Sequence, residues 1–213
     1  MTDSIIEKLA NEAVATIHEA IGEKNAMNYD IKPLDRSMKL CGRALTVKCA
    51  PNDNLMIIKA VSMAKPGDVL VVDAGDNRNS GPFGEVLTVN CQARGIKGLV
   101  TSGSVRDSLA IIDRSFPVFS AGISVQGTYK HALGTINEPV TVGGVVVKPG
   151  DYVLGDADGV VTIDPKEVEQ AIEAADAREA KEARVMERLA TGEEDLLDIY
   201  GYQKALDELG YQE

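Results

Sequence analysis

Residues 84–107, GEVLTVNCQARGIKGLVTSGSVRD, constrain the fold more tightly than any other stretch of this sequence. Val86, Leu87, Val89, Asn90 and Ala93 fall at helical spacing after Gly84, and Gly95 suits the left-handed residue that ends a helix. Residues 96–100 are then mostly apolar and bounded by glycines, the pattern of a strand covered on both faces. Ser102, Gly103 and Ser104 read as a tight turn, from which Arg106 and Asp107 emerge. Helix, glycine stop, buried strand and turn in such quick succession imply a layered α/β architecture. They also bring two features to one end of a sheet. The first is a helix N-terminus whose Glu85, Val86 and Leu87 N–H groups can face an anion. The second is a guanidinium beside a carboxylate. Arg106 can clamp a carboxylate through two donors, and Asp107 is the ligand type that a hard cation prefers. Anion cradle, guanidinium and metal carboxylate together suit a small oxo-acid.

The flanking sequence extends the pattern. Thr2 or Asp3 can cap a first helix with Ile5, Ile6, Leu9, Ala13, Ile17 and Ile21 on one stripe, ending at Gly22. Residues 39–50 alternate as a strand, 54–64 form an amphipathic helix stopped by Pro66 and Gly67, and 68–73 form a short apolar strand. The loop 74–83, rich in Gly, Asn and Asp, is expected to form a lip over the site, with Asp76 and Asn77 placed for a turn or for substrate. Strand–helix alternation from 40 to 100 predicts a sheet that is at least partly parallel. A short helix at 108–112 and a strand at 116–121 follow. Short strands near 140–142, 145–147, 152–154 and 160–163 then come with Gly-rich turns between them, in the manner of an antiparallel meander. The turn 155–159 lacks the remaining ligands of a calcium loop and reads as a hairpin turn. Pro165 opens a long Ala- and Glu-rich helix over 166–189. Its thin apolar stripe of Val168, Ile172, Ala175, Ala183 and Met186 fits packing on one side only, along a neighbouring subunit. Residues 193–209 are expected to form a further short helix.

The 213 residues fit one domain, 1–213, with 165–213 as a helical arm. A net charge of -11 and the absence of tryptophan argue against a nucleic-acid partner. Cys41, Cys49 and Cys91 lack CxxC spacing and read as buried thiols of a reducing compartment. The polar N-terminus shows no leader, and no apolar run approaches the roughly 20 residues that cross a bilayer. The expected setting is the cytoplasm, with no membrane partner.

The blocks GEVL (84–87), GSVRD (103–107) and FPVFSAGIS (116–124) resemble those of the class II pyruvate aldolases. Those enzymes cleave 4-hydroxy-4-methyl-2-oxoglutarate and 4-carboxy-4-hydroxy-2-oxoadipate, and their superfamily includes the regulator of ribonuclease E activity A. The similarity takes in DNLMIIKAVSMAKPGDVLVVDAGD (53–76) and PGDYVLGDADGVVTID (149–164), and spans residues 16–192. It implies an α/β/β/α layered sandwich of the swivelling-domain type, with a mixed sheet, antiparallel hairpins and a long C-terminal helix. It implies Mg2+ or Mn2+ held by Asp107, and a 2-oxo acid whose carboxylate rests on the N–H groups of Gly84, Glu85, Val86 and Leu87. Arg106 would face the keto oxygen, and Glu85 would reach the waters of the metal. A second acid, best matched by Glu182, would come from the long helix of a neighbouring subunit in a trimer or a hexamer of two trimers.

In that family the aldolases carry an aspartate after the arginine and the regulators do not, so Asp107 points to an enzyme. Cleavage of a 4-hydroxy-2-oxo diacid and decarboxylation of oxaloacetate both leave pyruvate enolate, so a metal-dependent lyase on either is expected. The alternatives are a non-catalytic regulator-type binding protein, or a metal enzyme on a different 2-oxo or sugar acid. One departure bears on the substrate: Ser102 stands where the family often has aspartate. No strand is followed by a GxGxG loop, which argues against a nucleotide-methyl-donor site.

Overall fold

A strand buried on both faces needs a layer on each side, and the run Asp68–Asp73 is the centre of such an arrangement. The computed structural model of the chain describes residues 4–75 and 78–211. In chain order the elements are α1 (Ser4–Leu9), α2 (Val14–Ala20), β1 (Lys32–Pro33), β2 (Leu40–Lys48), α3 (Leu55–Met63), β3 (Asp68–Asp73), α4 (Glu85–Ala93), β4 (Gly98–Val105) and α5 (Ser108–Asp113). Then come β5 (Val118–Ile123), β6 (Thr135–Ile136), β7 (Val140–Val142), β8 (Val145–Val147), β9 (Tyr152–Gly155), β10 (Val160–Ile163), α6 (Val168–Ala190), α7 (Leu196–Tyr200) and α8 (Gln203–Glu208).

Strands β2, β3, β4 and β5 are parallel and lie side by side in chain order, each joined to the next through a helix. Right-handed crossovers repeated in one direction put all three helices on the same face. Leu70 and Val72 of β3 accordingly pack with Ile57 and Val61 of α3, Cys91 of α4 and Ile111 of α5. Period-two alternation sends Val69 and Val71 to the opposite face. There they meet Val100, Phe119 and the hairpin β7–β8, through Val140, Val142, Val145 and Val147. The antiparallel hairpin β9–β10 extends the sheet beyond β2, and β1 pairs with β5 at the other end. Met27 N–H donates to Val160 O while Lys32 and Pro33 pair with β5, so residues 25–33 link the two edges and nearly close the sheet around this second core. A third cluster joins Leu9, Ile17, Val168 and Ile172 of the outer helices to Tyr152 and Val161. The expected mixed α/β sandwich, with hairpins and a long C-terminal helix, is the observed one.

Local departures from the sequence reading have local causes. The N-terminal stripe forms two helices, because Asp156 from the β9–β10 turn accepts Val14 N–H at 3.0 Å and starts α2 afresh. Residues 102–104 are not a turn. Strand β4 runs through them to Val105, and its register against β5 shifts between Thr101 and Ser104. The hairpins do not form one meander, since β7–β8 is a separate two-stranded sheet. Gly201, left-handed at φ 67°, divides the tail into α7 and α8. In α6 the buried residues are Val168, Ala171, Ile172 and Ala175, all in its first half, while Ala183 and Met186 are exposed. Thr2 and Asp3, read as caps, and Asp76 and Asn77, read as part of the lip, lie outside the described residues. Among the described residues no helix is long and apolar enough to cross a membrane.

Asp53 ties the start of α3 to the segment that follows β5. Its buried carboxylate accepts N–H bonds from Leu55 at 2.8 Å, His131 at 2.6 Å and Ala132 at 3.1 Å. Tyr129 adds backbone bonds to Asn52 and Asn54. Burial pushes the Asp53 carboxyl up, but these N–H donors outweigh it and hold the group below its ordinary value. Its stabilisation is therefore complete above the unfolded value of about 3.9 and is lost as pH falls through the lower folded value. Asp53→Asn is expected to destabilise the neutral protein by about 1–3 kcal/mol and to flatten the acid limb of stability against pH. Urea midpoints taken across that acid range would show it. An acid limb as steep as the wild type's would contradict the anchor.

Candidate active site

Loops leaving the carboxyl ends of parallel strands collect at one edge of a sheet, where α/β proteins place their sites. Here the ends of β2, β3 and β4 supply residues 49–54, 74–75, 78–84 and 106–107 to that edge. A cavity of about 470 Å³ opens among them. Its lining includes Gly84, Val86, Leu87, Arg106 and Asp107, all expected from sequence, together with Asn54 and Lys130, which were not.

Gly84 lets the end of β4 meet the start of α4. Its backbone is extended, and a Cβ built there would lie 2.4 Å from Asp107 Oδ2 and 2.9 Å from Arg106 Cγ. Any other residue would displace both groups. Arg106 N–H donates to Phe83 O at 2.9 Å and so seats the strand end against the turn before α4. Asp107 is left-handed, at φ 55° and ψ 37°, a strained setting that Asp tolerates better than most residues. Its side chain does not cap α5. Instead Oδ2 accepts Glu85 N–H at 3.1 Å and lies 3.6 Å from Arg106 Nε, while Oδ1 has no partner among the described residues.

Fewer N–H groups are consequently open at the start of α4 than the spacing suggested. Glu85 N–H serves Asp107, and Thr88 N–H closes the first turn on Gly84 O. The N–H groups of Gly84, Val86 and Leu87 have no acceptor among the described residues. The Glu85 carboxylate is also engaged elsewhere. It accepts from Arg114 Nε at 3.0 Å and Nη2 at 2.7 Å, and does not line the cavity. In this structure that charge-assisted pair holds the Glu85 carboxylate away from the cavity. Glu182, on α6, pairs with Arg178 at 2.8 Å, and Arg178 also pairs with Glu19. Within its own chain Glu182 lies outside the cavity.

Ser102 Oγ accepts Ala74 N–H at 2.9 Å and is absent from the lining. It fastens the end of β3 to β4, a task for any small side-chain acceptor. Asn54 contributes more directly: Nδ2 donates to Pro82 O at 2.8 Å, leaving Oδ1 buried with no partner among the described residues. Cys49 and Cys91 are buried, and burial pushes both thiols up to about 12, too high for a thiolate nucleophile.

Among the described residues no three His, Cys, Asp or Glu side chains gather to hold a metal. Asp107 is the one carboxylate among the described cavity-lining residues. A single carboxylate facing an open, partly polar cavity is a donor set for Mg2+ or Mn2+, ions that keep several waters and share the remaining positions with substrate oxygens. The unpartnered Asp107 Oδ1 fits that use.

A family model described as RraA-like, Aldolase/RraA, matches residues 14–162. A relative from Halalkalibacterium halodurans, named "Putative 4-hydroxy-4-methyl-2-oxoglutarate aldolase", is 35% identical over 164 residues, which cover 77% of this chain and 78% of that one. Among solved structures, an uncharacterized protein from Pseudomonas syringae pv. tomato has a TM-score of 0.83 at 23% identity, over 91% of this chain and 92% of that one. Streptomyces coelicolor RraAS2, described as an unusual member of the RNase ES inhibitor RraA protein family, has a TM-score of 0.78 at 24% identity, over 87% and 97%. At these identities the structural likeness speaks for the fold alone. On the strength of the family model and the aligned relative, this chain belongs to the RraA-like, Aldolase/RraA family.

Proposed function

We propose that the chain is a divalent-cation-dependent carbon–carbon lyase, a class II aldolase or decarboxylase that acts through pyruvate enolate. Its substrates would be 4-hydroxy-2-oxo diacids or oxaloacetate. The observation that carries this reading is the meeting of Arg106, Asp107 and the open N-terminus of α4 in one cavity. The name of the Halalkalibacterium relative supports the aldolase part.

Val86 and Leu87 N–H, at the positive end of α4, bind the carboxylate next to the keto group. Arg106 donates to the keto oxygen and meets the negative charge that develops there. Cleavage of the C3–C4 bond leaves its electron pair on the pyruvate fragment as the enolate; a 4-hydroxyl loses its proton to solvent and becomes the carbonyl of the departing fragment, or a 4-carboxylate departs as CO2. A proton returned to C3 gives pyruvate. Mg2+ or Mn2+ on Asp107, when bound, supplies Lewis-acid polarisation of the 2-oxo acid. Glu85 N–H holds the Asp107 carboxylate in place for that task, and the missing side chain at Gly84 leaves it room.

In this proposal a neighbouring subunit completes the site. Helix α6 has no buried residue after Ala175 although it runs to Ala190. Val86, Leu109, Val125 and Leu133, at or near the cavity in sequence, are large, apolar and exposed. Such surface invites a second copy. A trimer, or a hexamer of two trimers, would carry Glu182 of one subunit to Asp107 of the next, and unpaired buried thiols suit a cytoplasmic setting.

Pyruvate release from a panel of 4-hydroxy-2-oxo diacids and oxaloacetate is expected to vanish with EDTA and return with Mg2+ or Mn2+. Asp107→Ala and Arg106→Ala should each lower kcat by about a hundredfold or more while circular dichroism stays native. Activity that survives complete chelation would contradict the mechanism, and a folded protein inert across the panel would favour the binding-protein reading. Shared sites make a second prediction. Asp107→Ala and Glu182→Ala parents, each inactive, should regain activity when dissociated and reassembled together, because some interfaces then hold both intact residues. Verified mixed oligomers with no recovery would place Glu182 outside the site.

A further inference from the structure

Helix α5 meets Glu85 at both of its ends. At its start Asp107 Oδ2 accepts Glu85 N–H at 3.1 Å, and at its end Arg114 takes the Glu85 carboxylate. Both guanidinium donors, Nε at 3.0 Å and Nη2 at 2.7 Å, converge on Oε1. Six helical residues separate those ends by roughly 9 Å, at about 1.5 Å of rise per residue. The Glu85 main chain therefore sits at Asp107 while its carboxylate is drawn along α5, out of the cavity lining. Other bonds join the two helices. Gln92 Nε2 of α4 donates to Arg114 O at 2.9 Å, and Arg114 N–H donates to Ala110 O at 3.2 Å. These two use the Arg114 backbone and survive a change of its side chain.

The pair is placed to be broken. The Arg114 and Glu85 side chains are 39% and 41% exposed, and ion pairs so open to water hold weakly. A divalent ion on Asp107 carries twice the charge of Arg114 and stands beside the Glu85 main chain, so the carboxylate has two cations to choose between. We infer that Arg114 is a positioning residue that competes with the Asp107 cation for Glu85, and so sets how tightly the site holds that cation. While Arg114 keeps Glu85, the ion is left to Asp107, waters and substrate oxygens. Once released, the Glu85 carboxylate adds its charge to the ion's surroundings and tightens its hold. An ion held by few protein groups keeps positions open for substrate. The inference rests on the reading above that Asp107 takes a divalent ion.

The test reads Mn2+ affinity, without substrate, from the electron paramagnetic resonance signal of the free ion. It compares wild type, Arg114→Gln, Arg114→Lys, Glu85→Gln and the double variant Arg114→Gln/Glu85→Gln. Arg114→Gln is expected to bind Mn2+ about twofold to fivefold more tightly, the release of one exposed ion pair. Arg114→Lys keeps the charge and the pair, and should stay near the wild type. In the Glu85→Gln background the Arg114→Gln substitution should change nothing, because no carboxylate is left to release. A gain that persists in that background would trace the effect to the lost charge alone and overturn the inference. An Arg114→Gln affinity equal to the wild type's would overturn it too, while leaving the metal reading intact. Mn2+ binding by none of the proteins would overturn both. The expected Arg114→Gln shift, with no turnover of any 2-oxo acid by wild type, would uphold the role of Arg114 and refute the lyase.

Discussion

The site depends on one close approach, that of the end of β4 to the first turn of α4 across Gly84. Asp107 Oδ2 stands 3.1 Å from Glu85 N and would be 2.4 Å from a Cβ at Gly84. A single glycine therefore decides whether a carboxylate, a guanidinium and a helix N-terminus share one space. The strain is local, at the left-handed Asp107, and the surrounding packing sustains it. Beneath it, Phe83 stacks on Phe116, Thr88 is buried, and Val105 ends a strand with no exposed surface. A rigid floor of this kind lets a half-exposed Arg–Asp pair, weak by itself, keep a definite geometry.

The parallel core was legible from sequence because VLVV alternates between two buried faces, and each alternate set found a different layer. The site's first elements were legible for a related reason. A helix start and a strand end separated by one buried strand must lie near each other, and Arg106 and Asp107 fall at that strand end. What lay hidden was set by contacts between distant segments. Arg114 lies 29 residues from Glu85 and captures its carboxylate, which no local pattern announces. Asn54 and Lys130 reach the cavity from segments that Asp53 and the backbone of Tyr129 join. The supposed turn at 102–104 is a register shift inside β4, and a small polar Ser-Gly-Ser run fits either conformation. An Ala-rich helix such as α6 shows periodicity along its whole length, and periodicity cannot tell which half finds a partner within the chain.

Electrostatics give the cavity its character. A strongly acidic chain repels anionic metabolites at long range, so an acid site on it needs local positive charge. Arg106, Lys130 and the start of α4 line one cavity together, and in the proposed function Asp107 is the acceptor for a divalent ion. Ser102 does not disturb this balance, since its hydroxyl is occupied with Ala74.

The central claim is that this cavity makes pyruvate enolate, and it can be tested without knowing the natural substrate. Pyruvate placed in D2O with the protein and Mg2+ should lose its methyl proton NMR signal as C3 exchanges with solvent. Exchange well above the buffer rate is expected, abolished by EDTA and by Asp107→Ala. A folded, Mg2+-supplied wild-type protein that leaves the methyl signal decaying at the buffer rate would contradict it.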